Sequence, residues 1–123
     1  MSSMTTRETP TNEALAGVPD VIGLYFEFDA DRAIDSIVAL FTDHAQVVDE
    51  GEARHGRPAI REWQIGPASK YIYTTEVLRS EKLDANRYAV TGRLTGNFPG
   101  GVAELSWTFK LAGERIEQLI IAP

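Results

Sequence analysis

The fold is decided by the stretch Gly101-Val-Ala-Glu-Leu-Ser-Trp-Thr-Phe-Lys-Leu111, in which apolar and polar side chains alternate. Such alternation predicts a β-strand with one face packed on a core, and the other face exposed or paired with a second subunit. Similar period-two segments flank this stretch, and turns rich in Gly, Asn and Asp separate them. The pattern therefore predicts four consecutive antiparallel strands, at about residues 71–82, 86–96, 101–111 and 115–122.

Upstream of residue 71 the apolar residues recur with a helical period. A first helix is predicted to begin at Pro19, because proline and a following acid suit the first turn of a helix. In a second helix the spacing i, i+3, i+4, i+7 is occupied by Ile34, Ile37, Val38 and Phe41. A polar turn at 42–44, a short strand at 45–49 and a third helix over about 56–66 follow. This order predicts an α+β fold in which three N-terminal helices pack on a curved, mostly antiparallel sheet.

The length and composition limit the possible classes of protein. The chain has 123 residues, which suits a single domain, predicted over 18–123 after a flexible polar tail at 1–17. It has no cysteine, only two histidines and a net charge of −6. These values exclude thiol chemistry and argue against a metal site or nucleic-acid binding, and no cofactor is expected. Because no apolar run approaches membrane-spanning length and no hydrophobic signal core is present, we expect a cytoplasmic protein without membrane contact.

Several local strings resemble the nuclear transport factor 2-like superfamily, in particular its SnoaL-like and ketosteroid-isomerase-like branch. They occur in the order found in that superfamily: Tyr25-Phe-Glu-Phe-Asp-Ala-Asp31, Ile37-Val-Ala-Leu-Phe41, Asp43-His-Ala-Gln-Val-Val-Asp49, Gly56-Arg-Pro-Ala-Ile-Arg-Glu-Trp63 and Phe109-Lys-Leu-Ala-Gly-Glu-Arg-Ile116. The resemblance covers about residues 18–122. It implies a cone-shaped α+β domain, often dimeric, with a deep apolar pocket.

The resemblance also implies two catalytic positions. In ketosteroid isomerases a tyrosine of the first helix donates a hydrogen bond to the developing oxyanion, and an aspartate at the end of the first strand moves the proton. Tyr25 and Asp49 occupy the matching positions here. The second acid of those enzymes would stand on the strand at 101–111, where this chain has Trp107 or Ser106. Neither is an acid, so steroid isomerisation is not expected.

Each of these two residues also has a purely structural interpretation. Asp49 lies either in the pocket or at an exposed strand end, where it would pair with a nearby arginine such as Arg54, Arg57 or Arg61. Tyr25 is either a donor in the pocket or a core tyrosine.

Six further residues are candidates for contact with a ligand: Trp63, Trp107, Phe109, Phe41, His55 and Phe98. The four residues Trp63, Trp107, Phe109 and Phe41 belong either to the core or to the pocket wall, since the two share one surface. His55 is either a general base near a helix start or a loop histidine. Phe98 covers the mouth of the cone or is buried at a β-bulge.

Three hypotheses of function follow. The first is an isomerase or cyclase that moves a proton on a small hydrophobic carbonyl compound without a metal, with Asp49 as base and Tyr25 as donor. The second is a non-catalytic protein that binds a small apolar ligand. The third is a dimeric interaction module. A homodimer is expected in any case, because Val102, Ser106 and Thr108 give the outer face of one strand little charge.

Overall fold

The structure, a computed structural model, describes residues 13–123. The helices are α1 (Asp20–Ala30), α2 (Ile34–Ala39) and α3 (Arg57–Ile65), followed by a short 3-10 helix (Pro67–Ser69). The strands are β1 (Phe41–Asp49), β2 (Glu52–His55), β3 (Tyr73–Asp84), β4 (Arg87–Gly96), β5 (Val102–Ala112) and β6 (Arg115–Ala122). The predicted α+β class is confirmed, and each of the four predicted strands ends within two residues of its expected position.

The six strands form one curved sheet in the order β2-β1-β6-β5-β4-β3. All neighbouring strands are antiparallel except β1 and β6, which run parallel and pair Val47 with Leu119 and Asp49 with Ile121. The strand β5 shows the predicted alternation, because Trp107, Phe109 and Leu111 are buried while Val102 and Glu104 are exposed. The inner face of the sheet therefore carries the core, and the helices cover that face.

Helix α1 packs on the inner face of the sheet through four buried residues. Its acidic first turn begins after Pro19, and its buried residues are Val21, Ile22, Tyr25 and Phe26. The ring centroid of Phe26 lies 5.1 Å from that of Trp107 on β5, in an edge-to-face arrangement. This contact fixes the end of α1 over the middle of the sheet, where a cavity remains.

The segment at 41–44 differs from the prediction. The sequence suggests that the second helix reaches Phe41 and that a polar turn follows, but α2 ends at Ala39 and β1 begins at Phe41. Phe41 pairs with Ile116 of β6, and the Ile116 N–H donates a hydrogen bond to the Leu40 carbonyl over 2.8 Å. Pairing with a distant strand thus overrides the local helical period. The strand β2 was likewise not predicted, because its polar sequence is held in place by pairing with β1.

The predicted tail over residues 1–17 lies largely outside the described residues, so the division into a tail and one domain stays a prediction. Within residues 13–123, none of the helices has the length and hydropathy that crossing a bilayer requires.

Candidate functional site

A cavity of about 260 Å³ lies between the helices and the inner face of the sheet. Its walls combine aromatic and aliphatic side chains with three carboxylates. The lining residues are Tyr25, Asp29, Asp49, Glu50, Trp63, Pro67, Ala68, Tyr71, Tyr73, Leu94, Phe98, Ala103, Leu105, Trp107 and Ile121. This volume is just below the usual range for sites that hold drug-sized ligands, so the cavity suits a small molecule.

Tyr25 reaches the cavity from the packed face of α1. Its side chain is almost fully buried, and its ring meets Phe26, Phe41 and Phe109 edge-on at centroid distances of 5.3–6.5 Å. Burial raises the pKa of the Tyr25 phenol well above its usual value, and the nearby Asp29 carboxylate raises it further. The phenol therefore keeps its proton at physiological pH and can act as a hydrogen-bond donor.

Asp49 reaches the same cavity from the end of β1. It stands on the inner face, since Ala45 and Val47 of the same strand are fully buried at alternate positions. The indole N–H of Trp63 on α3 donates a hydrogen bond to the Asp49 carboxylate over 3.0 Å. The hairpin turn that follows, at Glu50 and Gly51, has positive φ at both residues and redirects the chain at once.

The arginines considered as partners of Asp49 pair elsewhere. Arg54 contacts Glu52 over 3.1 Å, Arg57 contacts Asp43 over 3.0 Å, and Arg61 forms an ion pair with Asp35. Arg57 and Arg61 line an open groove between α2 and α3, which lies apart from the inner cavity. Among the ion pairs found within residues 13–123, none involves Asp49, so Trp63 is its only described hydrogen-bonding partner.

The six candidate ligand residues separate into two groups. Trp63, Trp107 and Phe98 line the cavity. Trp107, rather than Ser106, is the inward residue of β5, because Ser106 pairs with Thr91 and Ala122 on the outer face. The position expected for a second acid on this strand is therefore occupied by an indole.

Phe41, Phe109 and His55 do not line the cavity. Phe41 and Phe109 are completely buried behind the Tyr25 ring, because they lie one layer deeper in the same aromatic cluster. His55 is exposed on β2 opposite Gln46, which directs it to the outer face of the sheet. The expectation that these three residues contact a ligand is therefore not supported by their positions.

Asp29 and Tyr73, which were not predicted from the sequence, also line the cavity. Asp29 lies one helical turn after Tyr25 on α1, and its side chain is 12% exposed. The Tyr73 hydroxyl donates a hydrogen bond to the Asp29 carboxylate over 3.2 Å, and the Arg32 guanidinium lies 3.2 Å from its other oxygen. Burial raises the pKa of Asp29, while Arg32 and the Tyr73 hydrogen bond lower it in part. The i, i+4 spacing of Tyr25 and Asp29 was the one available signal, since it places both on the same helix face.

Within residues 13–123, no three His, Cys, Asp or Glu side chains converge in a way that could hold a metal ion. The cavity thus offers carboxyl, phenol and indole groups as its polar chemistry.

The comparisons with family models and with curated proteins find no match. Among solved structures, the chain is similar to a Sinorhizobium meliloti protein provisionally assigned as a polyketide cyclase. The two share 31% identity over 85% of this chain and 94% of that one, with a TM-score of 0.79. It is also similar to the epoxide hydrolase/cyclase-like enzyme SalBIII, described in pyran ring formation in the polyether salinomycin. That enzyme has 22% identity over 84% of this chain and 87% of its own, with a TM-score of 0.72.

A third structure is that of a Mycobacterium tuberculosis protein in complex with estradiol-17β-hemisuccinate. It shares 12% identity over 82% of this chain and 88% of its own, with a TM-score of 0.70. The fold is therefore one that serves ligand-binding proteins and cyclase-type enzymes. With close to a third of its residues identical to the Sinorhizobium meliloti protein across most of both chains, this protein belongs to the nuclear transport factor 2-like superfamily, in its SnoaL-like and ketosteroid-isomerase-like branch.

Proposed function

We propose that this protein catalyses proton transfer on a small hydrophobic carbonyl compound, as an isomerase or a cyclase. The observation that carries the proposal is the convergence of the Asp49 carboxylate and the Tyr25 phenol in one cavity with largely apolar walls. A base and a hydrogen-bond donor in one site are the two groups that enolisation requires.

The two groups have complementary tasks. Asp49 removes a proton from the carbon next to the carbonyl, and Tyr25 donates a hydrogen bond to the carbonyl oxygen as negative charge develops there. The Trp63 indole, 3.0 Å from Asp49, restricts the orientation of the carboxylate and leaves its other oxygen free for the substrate. The raised pKa of Tyr25 keeps the phenol neutral. The phenol therefore donates a hydrogen bond to the developing oxyanion and carries no negative charge that would repel it.

The walls favour an apolar ligand of limited size. Trp107, Leu105 and Leu94 present carbon surface from the sheet, and Phe98 stands at the loop between β4 and β5. A fold neighbour was solved with a steroid hemisuccinate, and another is described in pyran ring formation. Both support a cyclic apolar compound bearing oxygen as the class of substrate.

Two substitutions test the chemistry directly. The probe is a small β,γ-unsaturated cyclic ketone, and its isomerisation into conjugation is followed by ultraviolet absorbance. Asp49→Asn is expected to reduce the rate by about a hundredfold, because it removes the general base without changing the shape of the site. Tyr25→Phe is expected to reduce it about tenfold, because it removes one hydrogen bond to the oxyanion.

Matched controls stand outside the cavity. Asp43→Asn alters an exposed acid of the same strand β1, and Tyr88→Phe removes the hydroxyl of a buried tyrosine that does not line the cavity. Both should keep the wild-type rate. If Asp49→Asn also keeps it, Asp49 is not the base and the proposed mechanism is wrong.

A non-catalytic binding protein is the alternative, and Trp107 favours it. This indole fills the inward position on β5 where a second acid would complete an oxyanion hole. If the protein only binds its ligand, the wild type and Asp49→Asn should bind cyclic ketones with equal affinity. Neither of the two proteins should then convert the ketone to a product. Isothermal titration of both proteins with the same ketone distinguishes the two functions.

We also propose that the protein is a homodimer in the cytoplasm. The outer face of the sheet carries a row of uncharged side chains across four adjacent strands: Val48, Ile120, Thr108 and Ala89. These residues are partly buried and small or apolar, which suits contact with an identical surface across a two-fold axis. The same surface would serve an interaction module.

Thr108→Lys is expected to convert the dimer into a monomer, because it places two like charges near the two-fold axis. The measurement is the mass from light scattering over a range of protein concentrations. Thr74→Lys, on the exposed edge strand β3, is the control and should leave the mass unchanged. A monomer mass for the wild type at every concentration would contradict the proposal.

A further inference from the structure

We propose that Asp29 is a second catalytic acid of the cavity, which supplies from α1 the carboxyl group that the inner face of β5 lacks. The inference rests on the proposed proton-transfer function and assigns to it a residue from a different element of the fold. In this arrangement Asp29 gives its proton to the substrate oxygen while Asp49 takes one from carbon.

The position of Asp29 carries the argument. Its carboxyl lines the same cavity as Asp49 and Tyr25, and its side chain is only 12% exposed. It follows Tyr25 by one helical turn, so the phenol and the carboxyl face the cavity from the same side of α1. A substrate oxygen directed toward α1 would meet both donors together, with Asp49 approaching from β1.

Arg32 explains how the carboxyl can release its proton. The guanidinium contacts Asp29 over 3.2 Å but is not among the residues that line the cavity. It is held from behind by the Gln64 carbonyl, over 3.1 Å, and by the Ser69 hydroxyl. Arg32 also has a positive φ of 53°, an uncommon conformation for a residue other than glycine. A fixed cation behind Asp29 stabilises the carboxylate that remains after proton transfer.

The reaction consists of two pairs of proton transfers, one in each half. The Asp49 carboxylate takes the proton from the substrate carbon, and the C–H electron pair forms a carbon–carbon double bond. The carbonyl π pair moves to oxygen, which takes the proton of the Asp29 carboxylic acid to give a neutral enol. In the second half the Asp49 acid returns its proton to a different carbon, and the enol proton returns to Asp29. Both carboxyl groups are thereby restored, and no other reactant is needed.

The sign of the pH dependence follows from the protonation state. Burial raises the pKa of Asp29, against the opposing effects of Arg32 and Tyr73. The other titratable groups of the cavity are Tyr25, beside Asp29 on α1, and Asp49, Glu50 and Tyr71 from the other elements of the wall. Asp29 acts as an acid only while it is protonated. Its contribution is therefore complete below its pKa and is lost as the pH rises through that value.

The experiment measures the pH profile of kcat/KM for the β,γ-unsaturated ketone. In the wild type the profile should fall on its alkaline side. Asp29→Asn is expected to reduce kcat/KM about a hundredfold at pH values below the alkaline decrease. It should also remove the alkaline decrease from the profile. Asp31→Asn, at the exposed residue that follows the same helix, should leave both the rate and the profile unchanged. An Asp29→Asn protein with the wild-type rate and profile would overturn the assignment.

A second variant keeps the proposal testable if Asp29→Asn does not fold. Tyr73→Phe removes a hydrogen bond that lowers the pKa of Asp29 and leaves the carboxyl and Arg32 in place. This variant should move the alkaline decrease of kcat/KM to higher pH. A decrease at the same pH as in the wild type would contradict the assignment. A wild type inactive on the ketone would refute the proposed function itself, whereas an active wild type unaffected by these variants refutes only the role of Asp29.

Discussion

Phe109→Ala is expected to reduce the free energy of unfolding by about 3–5 kcal/mol, the usual range for truncation of a buried phenylalanine. Phe109 is completely buried in the middle of β5, between Tyr88 on β4 and Leu119 on β6. Its ring lies 5.5 Å from that of Tyr25 and 6.0 Å from that of Phe26. Its removal would leave a void where α1 meets the sheet, so both the core and the support of Tyr25 would weaken.

The loss is measured by urea unfolding at one fixed protein concentration, because dimerisation would make the stability depend on concentration. Thr74→Ala, on the exposed edge strand β3, is the control and should cost less than about 1 kcal/mol. Phe109→Leu should give an intermediate loss, since it leaves a smaller void. A loss below 1 kcal/mol for Phe109→Ala would show that the cluster does not hold α1 to the sheet.

Gly96→Ala is expected to cost about 3 kcal/mol and to weaken ligand binding as well. A Cβ atom at Gly96 would stand 2.4 Å from the Ile72 carbonyl oxygen and 2.7 Å from the Tyr73 Cβ. These atoms belong to backbone and to the base of a side chain, so they cannot rotate away. The Ile72 N–H and carbonyl are also both hydrogen-bonded to Asn97, over 2.9 and 3.1 Å, which holds the two loops of the mouth together.

The displacement would move Tyr73, whose hydroxyl bonds Asp29, so the affinity for the ketone should fall together with the stability. Urea unfolding and isothermal titration measure the two effects. Gly23→Ala is the control, because a Cβ at that helical position would meet no atom within 4 Å beyond its chain neighbours and the backbone of its own helix. It should be neutral or stabilising by up to about 1 kcal/mol. Equal stability of Gly96→Ala and the wild type would mean that the two loops separate freely.

The strands and helices in which apolar side chains recur with a local period could be predicted from the sequence. The alternation through Trp107 and Phe109 is a property of consecutive residues, and it correctly predicts which face of β5 is buried. The segment at Phe41 could not be predicted, because its extended form depends on pairing with Ile116, near the other end of the chain. Local propensity favoured a helix there, and tertiary pairing prevailed.

The candidate site shows the same division. Family resemblance indicated Tyr25 and Asp49, and the structure brings both to one cavity. The alternation cannot distinguish the layer that lines a cavity from the layer behind it, so Phe109 and Trp107 looked equivalent. Asp29 could not be recognised as part of the site, because its burial comes from Tyr73 and Arg32, which are distant in sequence or lie beyond the helix end. A polar side chain covered by distant residues leaves no local signal.

The parallel pairing of β1 with β6 has a consequence for synthesis on the ribosome. β1, which carries Asp49, lies between β2 and β6 in the sheet. It leaves the ribosome early, whereas β6 is the last of the six strands to emerge. Until Arg115–Ala122 is available, the nascent helices and β1 have no complete sheet to pack on. Contacts between such distant segments form slowly, because a long loop must close first. A ligand of the proposed class thus cannot assist the early stages of folding, since Ile121 of β6 belongs to the cavity wall and the cavity is complete only after β6 has been made.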